Sequence, residues 1–353
     1  MANNTEKKIV KGLFWGFLTF MLTFLKQILI VPFILHYWGN YKYSLWILLF
    51  STYSVFITFN AGHSQYIKNF INQEYHIDKK NAAFVLSSSL YISFFVFFIQ
   101  LIFSFILLND NILSNILHVD LADIIKYNLT LSLFFLIISY SMLQSIFRLF
   151  GTLYCASGNI YIQLRFEVIY SILEITILLI CIILGFSIFS LTIVLFSFII
   201  IFLLIYLYIL KIKFPDFYPW WKNGNIKTGF NNFKKSLVFT TNSIFEQFNL
   251  YGINLLISNI IGNILVPAFT TIRTIANTLS YGTNIILNTV LPDIQKFHAK
   301  KEGDKLISTF TLNWFITGAM VNIGLIAILP FIEAIYLLWT KHKIEFNNEL
   351  FYL

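Results

Sequence analysis

The chain is a succession of long apolar segments, each able to cross a lipid bilayer. About nine segments of roughly 18 or more mostly apolar residues follow one another, enough to cross the ~30 Å hydrocarbon core. Only 11% of the residues are charged, against about 25% in a soluble domain. We therefore predict an all-α polytopic membrane protein with about nine or ten transmembrane helices. The predicted spans are 12–38, 43–60, 82–108, 129–149, 166–186, 189–210, 237–261, 266–291 and 308–329.

Basic residues are concentrated in alternate connections between these spans. The opposite connections hold only Lys42 and Lys126 before the tail, and the longest of them carries Asp110, Asp120 and Asp123. Lysine and arginine stay preferentially on the cytoplasmic side, so we expect a cytoplasmic N-terminus. Since the net charge of +8 is largely explained by this asymmetry, we expect no nucleic-acid partner. The basic connections contain Lys7, Lys8, Lys11, Lys68, Lys79, Lys80, Arg148, Arg165, Lys211, Lys213, Lys222, Lys227, Lys234, Lys235, Lys296, Lys300, Lys301 and Lys305.

The order of the spans predicts two halves with related patterns. Residues 1–210 form a six-helix N-terminal bundle, 211–236 a cytoplasmic linker, and 237–353 a C-terminal bundle that is incomplete. A long span ending in Gly-Asn recurs in both halves, which indicates the internal repeat common in transporters. Gly12 and Gly16 form a small-xxx-small pair, for which we expect close helix packing.

Charged residues within the predicted spans are candidates for function, since charge in lipid is costly. Lys26 lies near the middle of the first span. It could bind an anionic substrate in a central cavity, or it could pair with a buried glutamate. Glu167 and Glu174 share one face of the fifth span. A desolvated carboxylate suits proton or sodium coupling. Pairing of Glu174 with Lys26 or Arg273 is the structural alternative.

The seventh and eighth spans also carry polar faces. Glu246 is a further candidate for ion coupling, and Arg273 and Asn277 are candidates for substrate binding. Such a face must line a cavity or another helix, because lipid cannot solvate it. Arg148, expected beside a loop at 149–164, either fixes orientation or recruits a phosphate group.

Catalytic and cofactor motifs are missing from the sequence. It has no GxxxxGK-type phosphate loop, no metal-ligand spacing and no Ser/His/Asp signature. We therefore expect a protein that is not an enzyme and uses no cofactor or metal.

Four short motifs resemble bacterial polysaccharide flippases. These are WGNYKYSLW at 38–46, NAGHSQYIK at 60–68, AFTTIRTIAN at 268–277 and LPDI at 291–294. They resemble the O-antigen and capsule flippases for lipid-linked oligosaccharides, within the multidrug/oligosaccharidyl-lipid/polysaccharide exporter superfamily. Two departures are Ser44, where the family usually has glycine, and the absence of final spans, so we expect the chain to be C-terminally short.

The resemblance implies two helix bundles around a central cavity that opens alternately to each side of the bacterial inner (cytoplasmic) membrane. The implied cargo is a polyprenyl-pyrophosphate-linked oligosaccharide, with membrane lipids and a polysaccharide polymerase as further partners. Lys26 and Arg273 are the candidate anion contacts in such a cavity, and Glu174 and Glu246 are candidates for ion coupling. No family motif fixes these four residues.

Two other functions stay open on the sequence. A multidrug or cation antiporter of the same superfamily should have a more acidic cavity. A membrane-embedded polysaccharide polymerase should have a large outer loop with basic or catalytic residues, whereas the connection at 109–128 is short and acidic. An inactive fragment is a third possibility.

Overall fold

The computed structural model describes residues 2–275, 277, 297 and 302–352, and this part of the chain is helical without strands. The predicted all-α class is confirmed. Most of the predicted eighth span and the motif at 291–294 lie outside the described residues. The helices are α1 (Ala2–Tyr37), α2 (Gly39–Ile57), α3 (Phe59–Glu74), α4 (Lys79–Ile106), α5 (Asp110–Leu117), α6 (Leu121–Lys126), α7 (Leu129–Leu143), α8 (Leu149–Ala156), α9 (Ile160–Ile183), α10 (Ile188–Lys213), α11 (Ile226–Gln247), α12 (Ile253–Ile261), α13 (266–275), α14 (Gly303–Ile328), α15 (Ile332–Thr340) and α16 (Asn348–Tyr352).

Six helical runs among the described residues are long and apolar enough to cross a membrane, or seven if the bent pair α2–α3 is one span. The multi-pass character is therefore confirmed, and six or seven of the predicted nine or ten spans are accounted for. The predicted span at 237–261 is helical, but it is not among the candidate spans. The six runs are Val10–Tyr37, Lys79–Ile106, Leu129–Ala156, Ile160–Ile183, Ile188–Lys213 and Gly303–Thr340.

Helices α2 and α3 meet at a 45° bend. At the bend, the Thr58 hydroxyl donates to the Ser54 carbonyl at 2.8 Å, a bond that bends helices. The chain then stays helical to Glu74, so Lys68 lies on a helix, and the loop predicted around it is wrong.

Helices α7 and α8 form one continuous helical run through a π-helical turn at Gln144–Arg148. The loop predicted at 149–164 is therefore wrong, because the break comes only at residues 157–159, where Gly158 has a φ of +68°. Arg148 lies within the helical run. A π-turn inserts one extra residue and changes which side chains share a face, and such turns are frequent at functional sites.

The described chain divides into two compact units. The first contains the residues up to Lys26 and those from Tyr37 to Val266. Its core is rich in aromatic rings from α7–α10 and from the segment after α10, where Phe147 packs edge-on against Tyr206 at 4.7 Å. The second half of the predicted linker, from Ile226, is the start of helix α11.

Helix α11 packs very closely against α3 and α4. A Cβ on Gly62 would lie 2.2 Å from the Thr240 backbone nitrogen, and one on Gly229 would lie 2.3 Å from the Ser88 carbonyl oxygen. Only glycine permits such an approach of two helix backbones. The close packing predicted for Gly12 and Gly16 is wrong: Cβ atoms there would make ordinary contacts at 3.7 and 3.9 Å.

The second unit comprises residues 27–36 of α1 and the chain from Pro267 onward. In it, the Trp339 indole donates to the Ile28 carbonyl at 2.7 Å. Tyr336 is fully buried, and its hydroxyl accepts a 3.1 Å hydrogen bond from Thr271. After α15 the chain turns through Lys341 and His342, both with positive φ, before the short helix α16.

Candidate functional site

A cavity of about 470 Å³ lies inside the first unit, between α1, α2, α3, the α7–α8 run and α9. Its size falls within the range of small-molecule sites. Four of the seven candidate residues from the sequence line it: Lys26, Arg148, Glu167 and Glu174. The full lining is Lys26, Phe50, Tyr53, Ala61, Ser64, Gln65, Lys68, Tyr140, Leu143, Gln144, Phe147, Arg148, Gly151, Thr152, Cys155, Ile160, Gln163, Leu164, Glu167, Tyr170, Ser171 and Glu174.

The predicted polar face of α9 is one wall of this cavity. Glu167, Ser171 and Glu174 all line it, as does Gln163 one turn earlier. At 1.5 Å per residue, the two carboxylates lie about 10 Å apart along the helix axis. The cavity therefore has two charged regions, one around each glutamate.

Glu174 is held by three donors from three different helices. The Lys26 ammonium lies 2.5 Å from one carboxylate oxygen, and the Tyr140 and Tyr170 hydroxyls donate to the other, the latter at 3.1 Å. Only 7% of the Glu174 side chain is exposed, against 29% of Lys26. A buried charge of this kind is stable only when it is paired and hydrogen-bonded. The structural alternative weighed for Lys26 and Glu174, a mutual ion pair, is present.

Tyrosine rings extend this region of the cavity wall. Tyr53 stacks on Tyr140 with 4.7 Å between ring centroids, and Phe50 packs edge-on against Tyr53 at 4.8 Å. The flat faces and the hydroxyls combine apolar and polar contacts in one place.

The region around Glu167 contains two cations that form no close salt bridge. Lys68 and Arg148 both line the cavity and both are exposed to it. Across the ranges that the structure covers, neither side chain has a carboxylate oxygen within 4.0 Å. Glu167 accepts a hydrogen bond from Gln163 at 3.3 Å instead. Lys68 and Arg148 therefore share the electrostatic attraction of one carboxylate, which leaves one positive charge in excess.

The α7–α8 run supplies a second wall through its π-turn. Gln144, Phe147 and Arg148, all within the turn, line the cavity. A Cβ on Gly151 would lie 2.8 Å from the Gln163 side chain, so a larger residue there would have to displace that side chain. Gln163 is fixed from its other side by the Tyr206 hydroxyl at 2.9 Å.

The charges of the lining favour an anionic guest. The lining has three cations, Lys26, Lys68 and Arg148, and two glutamates, so it carries one excess positive charge. Lys26 and Glu174 neutralise each other. Between protein walls such an excess attracts anions more strongly than it would in bulk water. Arginine can bind a phosphate through two parallel hydrogen bonds.

The other three candidate residues lie elsewhere. Glu246 is exposed on α11 and accepts a 2.9 Å hydrogen bond from Asn242, outside the lining of this cavity. Arg273 and Asn277 are half-buried in the second unit, where the Arg273 guanidinium lies 5.9 Å from the centre of the Phe269 ring.

The sequence did not identify the tyrosines or Lys68 as site residues. Tyrosine within an apolar span needs a partner for its hydroxyl, and this signal could have singled out Tyr140 and Tyr170. Lys68 was assigned to a loop, because the helical continuation of α3 was not predicted. Among the described residues, no group of three His, Cys, Asp or Glu is arranged to hold a metal.

No protein-family model, curated protein or solved structure matches this chain. The resemblance to polysaccharide flippases therefore stays a prediction from the four motifs.

Proposed function

We propose that the chain is a membrane transporter that flips a polyprenyl-pyrophosphate-linked oligosaccharide, an O-antigen or capsule repeat unit, during polysaccharide biosynthesis. The observation that carries the proposal is the cavity between apolar helices, where Lys68 and Arg148 share the single carboxylate of Glu167 and form no salt bridge within 4.0 Å in the described part of the chain. Unpaired charge among membrane-spanning helices is costly and is retained where a substrate needs it.

The pyrophosphate of such a substrate fits the region around Arg148. A guanidinium and an ammonium group on neighbouring walls can bind phosphate oxygens from two sides. Gln65 and Gln144 also line the cavity, and the Gln144 side-chain oxygen is buried without a hydrogen-bond partner in the described part of the chain. These amides and the tyrosine face can bind sugar hydroxyls and sugar rings.

In this proposal the Lys26–Glu174 pair serves ion coupling. It joins α1 to α9 directly, so loss of the charge on Glu174 would release α1 from the cavity wall. Glu167 is the second coupling group, because it interacts electrostatically with Arg148 and Lys68. Arg273, Asn277 and Glu246 are proposed for substrate binding and coupling on their sequence positions alone.

The proposed architecture has nine or ten spans in two repeated bundles around a central cavity, with alternating access. The N-terminus would be cytoplasmic, in the inner membrane of a bacterium. Membrane lipids and a polysaccharide polymerase are the proposed partners, and the chain would act as a transporter without cofactors.

The main rival is a cation or multidrug antiporter. It requires a net acidic cavity, whereas the lining here has one more cation than it has carboxylates. The charge excess therefore supports an anionic cargo.

Complementation in the native host tests the proposal. With the gene deleted, lipid-linked oligosaccharide should accumulate out of reach of an external glycosidase, and the full chain should restore surface glycan. Arg148→Gln should fail to restore it. Arg165→Gln is the matched control, since Arg165 is exposed on α9 outside the cavity lining. Normal surface glycan in the deletion strain, or equal rescue by both variants, would contradict the proposal.

A further inference from the structure

A second concave surface, distinct from the charged cavity, lies on the outer face of α4. It encloses about 620 Å³ and is lined by one face of α4 and by Ile226 at the start of α11. The spacing of its α4 residues follows one helical face. These residues are Tyr91, Phe94, Phe95, Phe98, Ile99 and Ile102. We refer to this surface as the α4 groove.

The α4 groove is exposed and almost entirely apolar. Phe98 is 63% exposed, and Phe95 and Ile102 are each 53% exposed. Helix α4 is one of the candidate spans, so its exposed rings are available to the hydrocarbon of a bilayer. A concave surface of aromatic rings gives a flexible chain more contact than a convex helix face does.

The length of the groove matches one leaflet. Tyr91 and Ile102 lie about 16 Å apart along the helix axis. This is close to half of the ~30 Å hydrocarbon core. A stretch of one acyl chain about 16 Å long can therefore lie along the groove.

One end of the groove carries the features of a membrane surface. The Tyr91 hydroxyl donates to the Trp221 carbonyl, and the backbone N–H of Asn225 donates to the Ser88 hydroxyl at 2.9 Å. The segment before α11 therefore closes this end of the groove. Trp221 is 53% exposed, and tyrosine and tryptophan gather at the headgroup level. The groove therefore runs inward from that level.

The same end is basic. Lys222 follows Trp221, Lys227 follows Ile226, and both are exposed. Within the ranges described by the structure, neither has an acidic partner within 4.0 Å. Each lysine near a lipid surface favours anionic headgroups.

We infer that the α4 groove is a binding site for one anionic phospholipid, with an acyl chain along the aromatic face and the headgroup at Lys222 and Lys227. The groove and the charged cavity share no lining residue, and α4 contributes nothing to the cavity. This inference is independent of the proposed transport activity.

Native mass spectrometry of the delipidated full chain tests the inference, with phosphatidylglycerol and phosphatidylcholine as the probes. We expect one phosphatidylglycerol to be retained in preference to phosphatidylcholine. Ile102→Trp fills the groove and should abolish retention, whereas Ile205→Trp, on the exposed face of α10, should leave it unchanged.

The headgroup contacts are tested separately. Lys222→Gln and Lys227→Gln should each lower the preference for the anionic lipid about fivefold, the effect of one lysine near a charged surface. Lys126→Gln, on the short helix α6, is the matched charge control and should have no effect.

Several results would overturn the inference. One is equal retention of phosphatidylglycerol and phosphatidylcholine by the unaltered chain. This result does not depend on the folding of any variant. Another is a dimer that persists without lipid and is lost in Ile102→Trp, which would assign the groove to a second copy. A third is binding of a polyprenyl phosphate in the groove that added phosphatidylglycerol does not displace.

Discussion

Breaking the Lys26–Glu174 pair should destabilise the first unit by a predictable amount. Lys26→Met removes the ammonium but leaves a carboxylate with 7% exposure. Removing one partner of a buried pair costs about 3–5 kcal/mol. Because 29% of the Lys26 side chain is exposed, we expect the lower value, about 3 kcal/mol.

The reverse change should cost less. Glu174→Gln keeps an acceptor for the Tyr140 and Tyr170 hydroxyls and leaves Lys26 in partial contact with solvent. We expect a loss of about 1.5 kcal/mol, typical of one charge-assisted hydrogen bond. The double variant, Lys26→Met with Glu174→Gln, removes both charges together. Its free energy of unfolding should also fall by only about 1.5 kcal/mol, since a buried pair is often replaced at little cost.

Thermal unfolding of the purified chain in one detergent gives the comparison. At roughly 2 °C or more per kcal/mol, Lys26→Met should lower Tm by about 6 °C and the double variant by about 3 °C. The double variant would then be about 3 kcal/mol more stable than the sum of the single effects. Additive shifts would refute direct coupling between the two side chains.

Two further predictions concern packing and the second oxygen of Glu174. Gly62→Ala should prevent α3 from packing on α11, because the new Cβ would lie 2.2 Å from the Thr240 nitrogen. The variant should therefore give no peak of folded protein in size-exclusion chromatography. Gly16→Ala is the control and should fold normally; equal yields would contradict the packing argument. Tyr140→Phe should lower stability by roughly 1.5–3 kcal/mol in the same thermal assay, since it removes a donor to a charged acceptor. No change in Tm would mean that the hydroxyl does not support Glu174.

The helical membrane class could be predicted from the sequence because it depends on segment length and apolarity, which are local properties. The face of α9 that carries Glu167 and Glu174 followed from helical spacing alone, and both residues line the cavity. The sequence left the partner of Lys26 open between an anionic substrate and a buried glutamate. Helical spacing places residues on a face but does not say which helix lies opposite.

The ends of the helices and the close crossings were harder to predict. Arg148 was placed beside a loop at 149–164, whereas in the structure the helical run continues to Ala156 and Gly151 lies against the Gln163 side chain. Gly12 and Gly16 have the spacing of a packing motif, yet the closest approaches occur at Gly62 and Gly229. Whether a glycine is used for packing depends on the helix that meets it, which the local sequence does not encode.

Reconstitution tests the central claim most directly. The purified chain is placed in liposomes with a fluorescent polyprenyl-pyrophosphate oligosaccharide, and exposure of the sugar to an external glycosidase is followed over time. We expect the protected fraction to become accessible with the unaltered chain and with Arg165→Gln, but at least about tenfold more slowly with Arg148→Gln, the loss of one charge-assisted contact. Liposomes with the unaltered chain that flip no faster than empty liposomes, or equal rates for the two variants, would contradict the account.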